Sequence, residues 1–296
     1  MPPRRGKLLR GIYREHLYKN VMSTFLIIFG VVLLFLGIGK NMSSHSADSG
    51  SCSDSDLASR TAKALEDISR ERAERYARYE TLLKELSRYP LESTTRAGKY
   101  LIVDTETTGL PKRRNAEVED IQNWPRVVQV AWMLVDEQGL LVDDDCLIVR
   151  NKGVVPKAAE DVHGISTEKM RTEGVAPSEA YAKLMEQARN AEYIVMHNVD
   201  FDLPVLAADM LRHKLEGLSE EFQAKRFVCT MRAGRDECRI DNGRGGYKYP
   251  KLTELFGHLY FNDTDVPIGG MHSADADVLV TYRCFMKLKE KNKVSC

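Results

Sequence analysis

From Lys99 onward, short apolar runs alternate with stretches of helical periodicity. That alternation restricts the fold more than any other feature of the chain. Tyr100-Leu101-Ile102-Val103 is an apolar run that ends in acids, as a buried strand does. Val127–Val135 and Leu140–Val149 read as two further strands, joined in a hairpin by the turn-forming Asp136-Glu137-Gln138-Gly139. Tyr193–Met196 reads as a fourth strand and Phe227–Cys229 as a short fifth. Helices are expected over Pro177–Arg189, Asn198–Leu215, Lys251–His258 and Ser273–Lys291. Pro204 falls in an early turn of the second of these, where a missing N–H is tolerated. Strands mixed with crossover helices predict an α/β layered domain on a mixed sheet, over residues 98–292.

The preceding third of the chain has a different character. Residues 1–20 are basic, with Arg4, Arg5, Lys7, Arg10, Arg14 and Lys19 against Glu15. Val21–Gly39 then carries no charge and is bracketed by Lys19 and Lys40. A helix that crosses the hydrocarbon needs ~20 apolar residues. A signal peptide has a shorter apolar stretch and a small-residue cleavage site, which GIGKNMSS does not supply. The reading is a single-pass transmembrane helix at 21–39 that contacts the lipid bilayer. The basic flank places the N-terminus in the cytoplasm, and so the domain across the membrane. The location of most nucleic acid argues the reverse, and the sequence leaves the side open. Residues 40–56 are small and polar, a flexible linker. Residues 57–90 show apolar spacings of three and four and read as a helical stalk, packed on the globular domain and ended by Pro90.

Composition narrows the function classes. The chain has 296 residues, 43% hydrophobic and 29% charged, with no formal net charge. Any nucleic-acid-binding surface must therefore be local. Six cysteines form no C-x-x-C pair and have no zinc-ligand spacing, so they read as structural thiols.

Four acids stand out by position. Asp104 and Glu106 lie at the end of the first strand, where i and i+2 share a face. Two carboxylates so placed repel each other unless a cation lies between them. Thr107-Thr108-Gly109 follows as a tight polar turn. Asp202 closes His197-Asn198-Val199-Asp200-Phe201-Asp202 just after the fourth strand, at the carboxyl end where parallel sheets place ligands. Asp200 fits a helix N-terminal role better. Asp277 closes Met271-His272-Ser273-Ala274-Asp275-Ala276-Asp277, with Ser273 as the expected N-cap and His272 on the loop before it. A neutral imidazole beside carboxylates is suited to take a proton from water.

LIVDTETTG, HNVDFD and HSADAD, in this order and on these elements, resemble the motifs of the DEDDh exonucleases. That DnaQ-like family includes polymerase proofreading subunits and RNase T. VHGI at 162–165 and PKLTEL at 250–255 are also similar to family segments. The resemblance covers about Lys99–Lys291 and leaves out the apolar run and the stalk. It implies a ribonuclease H-like fold with a five-stranded mixed sheet flanked by helices. It also implies release of nucleoside monophosphates from the 3′ end of DNA or RNA. Asp104, Glu106, Asp202 and Asp277 match the four metal-binding acids, and His272 matches the general base. Thr107, Thr108, Gly109, Leu110, His163, Asn198 and Phe201 are the candidates for contact with the terminal nucleotide. For His163 a capping role competes, and for Phe201 core packing does. A polymerase partner fits the family, but no feature of the sequence supports one.

The chemistry follows from charge. Two Mg²⁺ ions ~3.5–4 Å apart lower the barrier to attack on an anionic phosphodiester, one acidifying water and the other stabilising the leaving oxygen. Four carboxylates suit Mg²⁺, with Mn²⁺ as a substitute, better than zinc. The loop of His272, beside Gly269-Gly270, is expected to close on the strand. Lys112-Arg113-Arg114 and the basic run Lys225–Lys251 are candidate phosphate contacts, and Asp143-Asp144-Asp145 reads as a solvated strand surface. One rival is a membrane-tethered, non-catalytic nucleic-acid-binding module on the same fold. Another is a phosphatase with Asp104 as nucleophile, which the Glu at 106 disfavours.

Overall fold

The computed structural model describes residues 92–266 and 273–296, together with isolated positions between Arg60 and Leu86. Those positions are helical, and Arg70 pairs with Asp67 one turn away at 2.6 Å. The basic N-terminus, the apolar run 21–39, the linker 40–56, most of the stalk and His272 lie outside the described residues. Among the described residues no helix is long and apolar enough to cross a membrane.

Five strands form one sheet in the order β3-β2-β1-β4-β5. They are β1 (Tyr100–Thr107), β2 (Val127–Val135), β3 (Leu141–Ile148), β4 (Tyr193–Met196) and β5 (Arg226–Cys229). β1, β2 and β3 run antiparallel, whereas β4 and β5 lie parallel to β1, so the sheet is mixed as expected. This is the ribonuclease H-like order. The chain enters the sheet before residue 98, because Glu92 and Thr94 exchange backbone hydrogen bonds with Leu141.

β1 is longer than its apolar run. Asp104–Thr107 remain in the strand because β2 pairs with it throughout, from Tyr100↔Val135 to Glu106↔Gln129. On its other side β1 pairs with β4 only over Tyr100–Ile102. The acidic half of β1 therefore has one free edge, beside the end of β4.

Alternation along β1 sorts side chains into two layers. Leu101 and Val103 join the larger core cluster, with Tyr181 and Leu184 of α3 (Pro177–Asn190) and Val205 and Leu206 of α4 (Val199–Arg212). Tyr100 and Ile102 join the other, with Val278, Leu279 and Phe285 of α8 (Ala274–Glu290). Asp104 and Glu106 continue the second series and Thr105 the first.

Four helices escape the periodicity: α1 (Lys157–His163), α2 (Thr167–Glu173), α5 (Glu216–Gln223) and α6 (Thr230–Cys238). Each is too short to repeat an apolar stripe more than about twice. The helix expected over Asn198–Leu215 stops at Arg212, and Lys214 turns left-handed at φ 60° before α5 begins. α7 (Leu252–Phe261) runs past the expected His258 to a left-handed cap at Asn262.

Candidate active site

The acids meet because three elements end beside one another. Asp104 and Glu106 project from one face of β1, and α8 lies across that face with Asp277 one turn from its start. The Asp277 N–H donates to the Ser273 carbonyl at 3.0 Å, the first bond of that helix turn. One carboxylate oxygen from each of Asp104, Glu106 and Asp277 lies within 4.8 Å of the other two. Asp202 comes from the opposite layer, in the first turn of α4, past the short end of β4. It is 4% exposed, and its Oδ1 accepts a hydrogen bond from Thr105 Oγ1 at 2.8 Å. Asp202 is not one of the closely spaced three, but its charge acts on both Asp104 and Glu106.

The electrostatics are those of a cation site. Burial first, then Asp277, Asp202 and Glu106, push the Asp104 carboxyl well above the usual range. Glu106 is raised to about 8 by burial and by Asp277, Asp202 and Asp275. Asp202 is raised to about 7, chiefly by burial, although the Thr105 hydroxyl works against the shift. Among the described residues, the charges acting on Asp104 and Glu106 are those of other carboxylates. All donors are oxygens, a set that fits a hard divalent ion.

The surrounding residues occupy varied environments. Thr107 Oγ1 donates to the Gly109 carbonyl at 2.7 Å. Gly109 stands at φ 145°, and a Cβ added there would meet open space, so backbone conformation and not crowding selects glycine. Thr108 exchanges hydrogen bonds with the Arg126 backbone. Leu110 is 84% exposed at the end of this turn. Asn198 is the N-cap of α4 in a left-handed conformation, φ 78°. Phe201 is half-buried and packs on the larger core cluster. His163 ends α1, and its Nδ1 accepts the Ile165 N–H at 3.1 Å, a local role of the capping kind. Burial lowers its pKa while the Thr107 backbone nearby raises it. Asp200 sits in the first turn of α4 and pairs with Arg232. A cavity of about 270 Å³ lies beyond Thr108, between Trp124, Arg126, Val154 and Arg212, and none of the acids lines it.

Ser273 has the extended backbone of an N-cap, but its side chain makes no capping hydrogen bond. Gln129 of β2 takes part of that role: its Oε1 accepts the Ala274 N–H at 3.1 Å. Gln129 faces Glu106 across the sheet, so one side chain ties the start of α8 to the acidic end of β1. Sequence reasoning passed over it, although Gln129 is the polar interruption in VVQVAWMLV. Thr105 was missed because nothing local distinguishes it. His197 was missed as well: its Nδ1 lies 3.0 Å from Thr230 Oγ1 and its Nε2 3.2 Å from the Pro250 carbonyl. Burial lowers its pKa to about 4, so the ring is neutral near pH 7.

The fold is thus a ribonuclease H-like sheet with carboxylates gathered at the end of its central strand. Residues 101–285 match the exonuclease family model, RNase T, and the chain belongs to that family. The 3′-5′ exonuclease DinG of Bacillus subtilis (strain 168) is 27% identical over 194 residues, which cover 65% of this chain and 18% of DinG. The zinc-bound complex of Escherichia coli exonuclease I with single-stranded DNA superposes with a TM-score of 0.50 at 16% identity, covering 67% of this chain and 41% of that one. Its complex with a 5cy-dT13 oligonucleotide gives 0.50 at 17% identity, covering 66% and 41%. This chain thus spans less than half the length of each. The structural likeness shows the fold, and the family match makes the domain a hydrolase that acts on nucleic acids.

Proposed function

We propose that the domain is a divalent-metal-dependent 3′–5′ exonuclease that shortens DNA or RNA and releases nucleoside monophosphates. The observation that supports this reading is the approach of Asp104, Glu106 and Asp277 within 4.8 Å in a half-buried setting. Divalent ions bound there, Mg²⁺ or Mn²⁺, would supply Lewis-acid stabilisation of the anionic phosphoryl group and a nucleophile at neutral pH. The chain's residues do the rest. Asp104, Glu106 and Asp277 would hold an ion, and Asp202 would widen the donor set from the opposite layer. Thr105 orients the Asp202 carboxylate by donating its hydroxyl to Oδ1. His272, next to the N-cap of α8, takes the proton of the attacking water on a ring nitrogen. The exposed Leu110 offers an apolar surface to the terminal base, with Thr107, Thr108 and Gly109 holding the turn that carries it. His163, Asn198 and Phe201 complete the surroundings of the terminal nucleotide.

The test is a labelled single strand with the purified full chain in detergent. Shortening from the 3′ end with Mg²⁺ or Mn²⁺, and none in EDTA, is expected. Asp104→Asn is expected to abolish cleavage with the fold retained, and His272→Ala to cut turnover with metal binding kept. Binding without shortening would instead mark a non-catalytic module. From the apolar run 21–39 we also propose that the chain is held at a membrane.

A further inference from the structure

The segment that joins α6 to α7 has no part in the acid cluster, yet hydrogen bonds tie it to His197, between β4 and α4. His197 stands five positions before Asp202 and holds both Thr230, the first residue of α6, and Pro250, near the end of the joining segment. Arg232 of α6 pairs with Asp200, two positions from Asp202. Arg235 lies one helical turn beyond Arg232, on the same face of α6.

Arg235 meets two tyrosines there. Its guanidinium lies 5.5 Å from the centre of the Tyr249 ring, and its Nε donates to the Tyr247 carbonyl at 3.2 Å. Asp241 and Tyr247 pair as an antiparallel bridge, and Gly243 and Gly245 take left-handed conformations in the turn between them. The turn is therefore built and not merely a polar run. Tyr247 is 40% exposed and Tyr249 is 50% exposed, and among the described residues no other aromatic ring is so open. Residues i and i+2 of an extended segment share a side about 6.7 Å apart. That is about twice the 3.4 Å advance of one nucleotide. Lys248, between them, turns away to pair with Glu254.

Two of the acids near the rings are ion-paired. Glu237 is neutralised by Lys291 and Lys293, and Glu254 by Lys248. Arg239 donates only to the Asp236 carbonyl, and the Arg244 side chain has no partner among the described residues. Exposed rings interleaved with guanidinium groups that are not paired to carboxylates suit single-stranded nucleic acid, since bases stack on the rings and phosphates meet the cations.

We propose that Tyr247 and Tyr249, with Arg235, Arg239 and Arg244, form a stacking platform for single-stranded nucleic acid, upstream of the 3′ end. The assignment rests on reading the domain as one that takes a strand at its acids. It gives the platform work of its own: the strand beyond the terminal nucleotide is held where α6 begins to leave the sheet.

The experiment uses the full chain in detergent with fluorescent dT12 and U12 in EDTA, so that the strand is not consumed. Hydrolysis of the p-nitrophenyl ester of thymidine 5′-monophosphate with Mn²⁺, a substrate that reaches only the acids, is measured in parallel. Tyr247→Ala and Tyr249→Ala are each expected to raise the strand Kd about tenfold. Ester hydrolysis should be unchanged, and Tyr249→Phe should bind like the parent. Arg239→Gln with Arg244→Gln should lower the slope of log Kd against log salt by about 1.4. Loss with dT12 alone or U12 alone would show which of the two strands the platform accepts, and either supports it. Unchanged strand affinity in the tyrosine variants overturns the proposal. So does an equal loss in Tyr249→Phe, or loss of binding to phosphatidylserine vesicles with strand binding intact. If the parent hydrolyses neither substrate but its strand binding still depends on the rings, the platform stands and the exonuclease reading falls.

Discussion

At the scale of single residues, the acids define what the site requires. A carboxyl raised by burial and by like charges holds its proton in the folded state at pH values where the unfolded chain has released it. Glu106 moves from 4.5 to about 8 and Asp202 from 3.8 to about 7. The folded state therefore binds more protons across that window, and metal-free stability falls as pH rises from about 4 to about 8. Thermal unfolding in EDTA is expected to show a lower midpoint at pH 8.5 than at pH 5.5. Mn²⁺ should restore several degrees at the higher pH and little at the lower, where protons compete for the same oxygens. Asp104→Asn should flatten the pH dependence and weaken the response to metal. A midpoint that rises with pH in EDTA would contradict the clustering. These residues were legible in the sequence as acids at strand and helix ends. The partners that hold them were not, because Thr105 carries no local signal and the polar Gln129 acquires its meaning only when the register places it.

Secondary-structure elements set the geometry of that cluster. β1 outruns β4, which opens an edge, and α4 and α8 deliver acids to it from opposite faces of the sheet. The start of α8 depends on Gln129, whose carbonyl oxygen satisfies the buried Ala274 N–H. Gln129→Leu keeps the volume and removes the acceptor. It is expected to destabilise the protein by about 1–2 kcal/mol in urea unfolding, the cost of an unpaired buried donor. Strand hydrolysis should fall more than strand binding, since Asp277 rides on that helix turn. Equal loss of both would argue that α8 is held by its apolar face alone. The four short helices illustrate the limit of periodicity as a signal. α1 ends on a left-handed Gly164, and α6 begins where β5 stops, so termini and tertiary contacts define them.

For the molecule as a whole, the exonuclease domain and the uncharged run 21–39 make separate demands. Extraction of membranes with carbonate is expected to leave the full chain in the pellet, and deletion of residues 21–39 to release it. Protease added to sealed vesicles then reports which side carries the domain. Release of the intact chain by carbonate would remove the anchor. Sequence alone determined the alternation of strands and helices, the mixed sheet, and the chemical type of the candidate groups, because period and functional group are local properties of the chain. Tertiary structure decided which carboxylates approach within 4.8 Å, which layer each comes from, that His197 latches α6 beside Asp202, and that Tyr247 and Tyr249 stand open. Those outcomes depend on strand register and on packing between residues far apart in the chain, and no local pattern encodes them.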